Sequence, residues 1–335
     1  MKAVVLEGFG GVENFSLQEV QDPTIKDNEI LVKVKACSFN PADYQIRKGG
    51  PEANAVDSMI LGRDLSGIVV KVGEAVNDFK AGDEVMAYSS IMGSNGSNAE
   101  YIALPANIVG KKPANLSFEQ SAAIPVVGLT ALQTIYQCAL KPSQSIFLTG
   151  GSGGVGTFFI QLARHYGIKN IITTYGSRES YDHLLKIGVK PEQMVNYRQD
   201  SLAEEILKKN EGELYDVCID YVGGRISETA AEVLKIGGTF ADITFLGTQT
   251  SRTTIFNKSA TLQNIAIYAN ALSNDEDLRA RFGRDLDLLS ELFQNGSLEP
   301  TPIVEVGNFS VEAVQKGHTL LENNAAKGKL VMSFP

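Results

Sequence analysis

The run SIFLTGGSGGVG at residues 145–156 constrains this chain more than any other segment. Ile146, Phe147 and Leu148 have the apolar character of a short buried strand. Gly150, Gly151, Gly153, Gly154 and Gly156 crowd a turn that leads into a helix-like stretch, 157–166. Gly151, Gly153 and Gly156 stand at the G-x-G-x-x-G spacing of a dinucleotide-binding turn. That chemistry needs glycine, because a pyrophosphate must approach backbone N–H groups at a helix N-terminus and a Cβ would hold it off. An ordinary glycine-rich turn can carry the same letters. Here, however, a strand precedes it, an apolar helix follows it, and a second strand, 170–174, comes next. Gly153 is expected at the closest approach, where a valine would fill the phosphate's space and strain the backbone.

The surrounding rhythm extends the argument. From about residue 123, apolar strands at 146–149, 170–174, 193–196, 217–220, 239–243 and 262–267 alternate with helical patterns at 157–166, 181–187, 202–209 and 226–234. Such alternation predicts a parallel, doubly wound α/β sheet. Residues 1–120 read instead as strands and turns, with strands at 3–6, 29–36, 67–72, 84–88 and 99–104. Residues 94–98, SNGSN, read as a flexible loop, with a substrate lid over 90–98 as a further possibility. After 270 come an amphipathic helix (275–294), a strand segment near 300–306, a helix near 311–322 and a strand at 329–332. This tail is too short to fold alone and is expected to complete the first domain.

The bulk numbers narrow the function classes. A chain of 335 residues suggests two domains. The net charge of −9 argues against nucleic acid as a partner. No apolar run approaches the roughly 20 residues of a membrane span, and the start, MKAVVLEGFG, reads as a strand rather than a signal peptide. Cys37, Cys138 and Cys218 form no C-x-x-C pair, which fits a reducing cytoplasm. His165, His183 and His318 lack metal-site spacing.

Six segments together carry a resemblance: ACSFNPADYQIRKG (36–49), LGRDLSGIVVKVGEAVNDFKAGDEV (61–85), AAIPVVGLTALQTI (122–135), the glycine turn, VNYR (195–198) and AKGKLVMS (326–333). The chain resembles, nearly end to end, zinc-independent medium-chain dehydrogenase/reductases of the NADPH-dependent quinone oxidoreductase group. The resemblance implies a Rossmann NADPH-binding domain over 124–269. It would be inserted into a mostly β, GroES-like, partly open barrel, the catalytic domain, over 1–123 and completed by 270–335. Zinc relatives carry a ligand Cys where this chain has Asn40, and G-H-E where it has Gly62-Arg63-Asp64. A guanidinium offers no lone pair to a metal, so no metal site is expected. Without a Lewis acid, alcohol oxidation gives way to reduction of conjugated acceptors.

The same resemblance assigns residues. Asn40 would bond the nicotinamide-side ribose, although Asn-Pro also favours an Asx turn on its own. Thr130 would lie against the nicotinamide. The turn residues Gly151, Ser152, Gly153, Gly154 and Val155 would cradle the pyrophosphate. An NAD enzyme places an acid at the end of the second strand; this chain has Thr174, Tyr175, Gly176, Ser177 and Arg178, with no acid until Glu179. Ser177, Arg178 and Tyr197 therefore point to a 2′-phosphate and to NADPH, although Ser180 replaces the lysine of many relatives. Gly223, Phe245, Leu246 and Lys329 are further cofactor contacts. Asn40 and Tyr44 are the catalytic candidates, with Asp43, Arg47 and Tyr88 nearby. The substrate tyrosine of many quinone reductases would fall on Gln45, and water is a sufficient proton source.

The expected reaction is hydride transfer to a quinone or an α,β-unsaturated carbonyl (an enone). The alternatives are an enoyl- or alkenal-specific double-bond reductase and a non-catalytic NADPH-binding sensor or scaffold. The apolar sixth strand, 262–267, predicts a homodimer joined at that sheet edge.

Overall fold

The computed structural model describes residues 1–89, 91–326 and 328–335. Ser90, at the head of the expected lid loop, and Lys327, in the AKGKLVMS segment, lie outside the described residues. The chain forms two compact units. The first joins Met1–Leu129, Ile267–Gly296 and Pro300–Pro335; the second joins Thr130–Ala266 and Ser297–Glu299.

The first unit is built on β strands. Lys2–Leu6 (β1) and Phe15–Glu19 (β2) pair antiparallel as a small ribbon. The main sheet uses Glu29–Ser38 (β3), Asp64–Val72 (β4), Glu84–Tyr88 (β5), Tyr101–Pro105 (β6) and Val109–Lys111 (β7). Helices Pro41–Arg47 (α1) and Phe118–Ala122 (α2) follow β3 and β7. A longer helix, Pro125–Gln137 (α3), contains the division between the units.

The second unit alternates strand and helix. Its strands are Ile146–Thr149 (β8), Ile171–Tyr175 (β9), Met194–Asn196 (β10), Tyr215–Asp220 (β11), Leu234–Asp242 (β12) and Thr261–Asn264 (β13). Between them run Gly154–His165 (α4), Arg178–Lys186 (α5), Leu202–Lys208 (α6), Arg225–Glu232 (α7) and Gln249–Asn257 (α8). The strands lie side by side in the order β10-β9-β8-β11-β12-β13, every pair parallel. Chain order reverses between β8 and β11, as in doubly wound Rossmann sheets, whose ligands bind beyond the strand C-termini at that switch point. β8 is buried along its whole length, because helices cover both faces of such a sheet. Phe147, Ile172, Tyr215, Cys218 and Phe240 fill the core between sheet and helices.

Apart from Ser297–Glu299, the tail belongs to the first unit. Tyr268–Ala271 (α9), Glu276–Gln294 (α10), Ile303–Asn308 (β14), Val311–Glu322 (α11) and Lys329–Ser333 (β15) complete the element order. β15 pairs antiparallel with β3, setting Val331 opposite Ser38, and β14 lies beside β15. α10 starts at Asp275, whose carboxylate accepts from the N–H groups of Asp277 and Leu278, two donors that a helix start leaves orphaned.

Three local expectations change. The SNGSN loop is packed rather than flexible. Asn95, Ser97 and Asn98 are buried, the Asn95 amide donates to the carbonyls of Gly96 and Tyr101, and the Asn98 carbonyl accepts from Val4 N–H. Buried main chain needs such partners, so polar composition here reflects hydrogen-bond demand. The sixth strand is short and its Leu262 is exposed, while Ile265 and Ile267 are buried beyond its end. Helix α8 has no counterpart in the sequence reading, because QTSRTTIFN carries no apolar stripe; only Ser251 and Ile255 are buried.

Candidate functional site

Four glycines of the turn do different work. Gly150 takes a left-handed backbone, φ +70°, which turns the chain out of β8. A Cβ on Gly151 would lie 2.2 Å from Thr173 Oγ1, and one on Gly156 would lie 2.3 Å from the Gly150 carbonyl oxygen. Packing of α4 against β8 and β9 therefore requires both. Gly153 is exposed, its φ of −76° suits any residue, and the nearest atom to an added Cβ is the Gly150 oxygen at 3.3 Å. The expected backbone strain at Gly153 is absent. Gly153 is the N-cap of α4 and offers no capping side chain, so no N-cap side chain takes up the first-turn N–H groups, the groups that bind anions at helix starts. The fit to a pyrophosphate rests on this open cradle, with Ser152, Gly154 and Val155 half-buried around it.

At the end of β9, Thr174 is buried against Val195 of β10. Beyond it an open pocket of about 300 Å³ is lined by Tyr175, Ser177, Arg178, Tyr181 and Asn196. Ser177 caps α5, its hydroxyl accepting from Ser180 N–H at 3.2 Å. The Ser180 hydroxyl accepts from the N–H groups of Gly176 and Ser177. Ser180, the departure from the family lysine, thus stiffens the turn. Arg178 is exposed and ion-pairs with Asp182 at 2.9 Å. The Tyr197 ring rests on Gly176, where any Cβ would fall 2.3 Å from it. Gly176 therefore makes room for the Tyr197 ring, a role that spacing alone did not reveal.

Two aspartates missed in the sequence shape the next turns. Asp220, ending β11, accepts from Thr149 Oγ1 at 2.6 Å and from the N–H groups of Val222 and Gly223. Asp242, ending β12, accepts from Thr244 and Phe245 N–H. An Asp followed by a turn is a local signal that could have found both. Gly223 packs so closely on Leu246 that a Cβ would sit 2.5 Å from the leucine Cβ. Phe245 is exposed, left-handed at φ 57°, with the Arg252 guanidinium 5.1 Å from its ring centre. Thr130 is buried and its carbonyl accepts from Thr134 Oγ1 at 2.8 Å.

The first unit contributes a closed polar knot. Asp64 Oδ2 accepts from Ser38 Oγ at 2.7 Å, Asn40 Nδ2 at 2.8 Å and Lys329 Nζ at 3.0 Å; Asp64 Oδ1 accepts from Val126 N–H at 2.7 Å. Lys329 also donates to Asn40 Oδ1 and to the Phe39 carbonyl. All three central side chains are buried. The side chain of Asn40 is committed to this knot, not to an Asx turn; the Asp43 carboxylate instead accepts from Asn40 N–H at 2.7 Å. Arg63 is buried, ion-paired with Glu52 and 3.9 Å from Asp43. Burial pushes the Asp43 carboxyl up to about 6, against the pull of Arg63. Tyr44 is half-buried on α1; Tyr88 is buried and stacks on Phe282. Arg47 is buried and paired with Glu322.

The expected residues thus fall into two groups. Asn40, Tyr44 and Lys329 belong to the first unit; Thr130, residues 151–155, Thr174, Ser177, Arg178, Tyr197, Gly223, Phe245 and Leu246 belong to the second.

Comparison with known proteins supports the two-domain fold. The alcohol dehydrogenase GroES-like domain family matches residues 26–114, and the zinc-binding dehydrogenase family matches 154–291. A quinone oxidoreductase of Sus scrofa is 30% identical, the match covering 99% of this chain and 97% of the relative. An NADPH-dependent alkenal/one oxidoreductase of Arabidopsis thaliana chloroplasts is also 30% identical, over 99% of this chain and 79% of the relative. The solved Escherichia coli quinone oxidoreductase complexed with NADPH is 25% identical, with a TM-score of 0.84 over 99% of this chain and 100% of that chain.

Proposed function

The chain is a quinone oxidoreductase-like member of the medium-chain dehydrogenase/reductase superfamily, and on that premise we propose an NADPH-dependent reductase that delivers hydride to a quinone or enone without zinc. The observation that carries the zinc-free reading is the knot around Asp64. Where zinc relatives gather metal ligands, this chain sets Asn40 and Asp64 around the Lys329 ammonium, with the Arg63 guanidinium next in sequence. Two cations occupy the neighbourhood, and neither can donate a lone pair to a metal.

NADPH, when bound, supplies the hydride at its nicotinamide. The N–H groups opening α4 would hold the pyrophosphate beside Gly153. Arg178, Ser177 and Tyr197 would hold the 2′-phosphate, and the absence of an acid at the end of β9 favours that anion. Asn40 would orient the ribose, with its amide already fixed by Asp64. Thr130 and the turns holding Gly223, Phe245 and Leu246 would orient the nicotinamide. Lys329 would add positive charge where the acceptor's oxygen becomes anionic. Tyr44 or water would protonate the product. In this reading the first unit is the catalytic domain, the enzyme is cytoplasmic, consistent with three free thiols, and the β13 edge joins two copies. The chloroplast alkenal/one relative favours a second reading, reduction of the conjugated double bond in alkenals.

The test is an NADPH-oxidation screen over quinones, alkenals and enones, on protein held with a chelator and analysed for metal. Multiple turnovers with at least one class and no stoichiometric zinc are expected. About one zinc per chain with chelator-sensitive activity would sink the zinc-free mechanism. NADPH binding without turnover of any acceptor would leave a sensor or scaffold.

A further inference from the structure

We propose that Asp182 sets how strongly the second unit discriminates NADPH from NADH, because its carboxylate competes with a 2′-phosphate for Arg178. The inference deepens the NADPH reading above and rests on it. No acid stands between β9 and Arg178, but the helix brings one back. Arg178 opens α5, and Asp182 follows one turn later on the same face. Arg178 Nε lies 2.9 Å from Asp182 Oδ2. The guanidinium sits 5.5 Å from the Tyr181 ring centre, and that ring meets Tyr175 edge-on at 5.0 Å. Arg178 and both tyrosines line the open pocket with Ser177. The cation that would receive the phosphate is thus partly neutralised by a carboxylate one helical turn away.

Two effects of Asp182 oppose each other. It restrains the guanidinium over Tyr181, which leaves the Nη edge for a phosphate. It also places a negative charge close to where about two more would bind. The restraint is weak, because the pair is exposed, with side chains 81% and 49% accessible, and exposed i,i+4 pairs order their partners little. The repulsion acts within roughly one Debye length, about 8 Å at physiological ionic strength, so it persists in part. Repulsion therefore wins. Removing the charge should raise the NADPH preference about threefold, the scale of one screened charge–charge interaction.

The experiment measures Kd for NADPH and NADH with the full chain, Asp182→Asn, Asp182→Glu, Arg178→Ala and the Arg178→Ala/Asp182→Asn double variant, each checked for folding by circular dichroism. Asp182→Asn should raise the Kd(NADH)/Kd(NADPH) ratio about threefold, with a smaller rise at high salt. Asp182→Glu should restore the original ratio, and the double variant should show less of the gain. An unchanged ratio in Asp182→Asn overturns the proposal. So does a lowered ratio, which would make Asp182 a support for Arg178. Arg178→Ala separates the two levels. If it erases the preference while Asp182→Asn does nothing, only this inference fails. If it weakens both cofactors equally, or neither, the 2′-phosphate assignment itself fails.

Discussion

The glycine turn of the second unit and the knot around Asp64 in the first unit are built on opposite plans. Around Gly153 the structure leaves things out: an exposed residue with no side chain, and a helix start with no side-chain cap. Around Asp64 everything is buried and partnered, with Ser38, Asn40, Lys329 and the Val126 N–H converging on one carboxylate. An open site of the first kind can be lost without disturbing the fold, because nothing else depends on it. A closed arrangement of the second kind belongs to the core, so the groups proposed to bind and the stability of its unit share the same bonds. Substitutions should therefore separate the regions: binding without stability in one, stability together with binding in the other.

Asp64→Ala should give the largest effect and would break the comparison if it did not. It strands the Lys329 ammonium in a buried setting and unpins the Asn40 amide. Removing one partner of a buried charge pair costs about 3–5 kcal/mol. Chemical denaturation should show a loss of that order, with weakened NADPH binding alongside. A stability loss under about 1 kcal/mol would mean that water reaches the knot and that the closed description is wrong.

Gly153→Val comes next and tests the open plan. The backbone angle is permissive and only the Gly150 oxygen is near, so stability should change by about 1 kcal/mol or less. NADPH binding should weaken at least about a hundredfold, about 2.7 kcal/mol, because the branched side chain enters the phosphate's space. Gly156→Val is the contrast: its Cβ would overlap the Gly150 carbonyl, so it should destabilise the fold as well. Equal stability losses in both variants would reduce Gly153 to a packing glycine. Unchanged NADPH affinity in folded Gly153→Val would move the dinucleotide site elsewhere.

The same contrast explains what could be read from the sequence. The glycine turn was legible because its signal is local: an apolar strand, spaced glycines and an apolar helix within about twenty residues. Ser177 and Arg178 were legible because they follow β9 directly. The hub at Asp64 was not, because its partners stand at positions 38, 40, 126 and 329 and meet only when β4 and β15 pair with β3. Asp182 was not legible for a smaller reason: it stands beyond Glu179, and only the helical turn from Arg178 brings its carboxylate back to the guanidinium. SNGSN misled because composition reports solubility, whereas topology buried the loop. Gly176 carries no spacing signal; only the ring of Tyr197 lying on it shows why glycine stands there.

The smallest effect sharpens the closed plan by asking what a buried polar group costs when it lacks partners. His318 on α11 is buried, and neither ring nitrogen has a hydrogen-bond partner among the described residues. Phe15 lies edge-on at 4.9 Å and Phe39 at 6.0 Å. Burial, with help from Arg47, pushes its pKa down to about 3. The folded state therefore keeps His318 neutral where the unfolded chain, with a histidine pKa of about 6.5, takes up a proton. The stabilising neutral form is fully effective above the unfolded value. It loses ground as pH falls from about 6.5 toward 3, by about 1.4 kcal/mol per pH unit. Asp43, held up to about 6, contributes in the opposite sense: its folded state binds the proton more tightly than the unfolded chain, so it stabilises as pH falls. The readout must therefore be a difference between proteins. His318→Met puts an apolar side chain of similar reach in its place and removes the titration. The gap between its unfolding free energy and that of the parent should widen in its favour by about 2 kcal/mol from pH 6.5 to pH 5. Parallel pH curves would show that His318 finds a proton partner in the folded state, and that burial of this ring costs the first unit nothing.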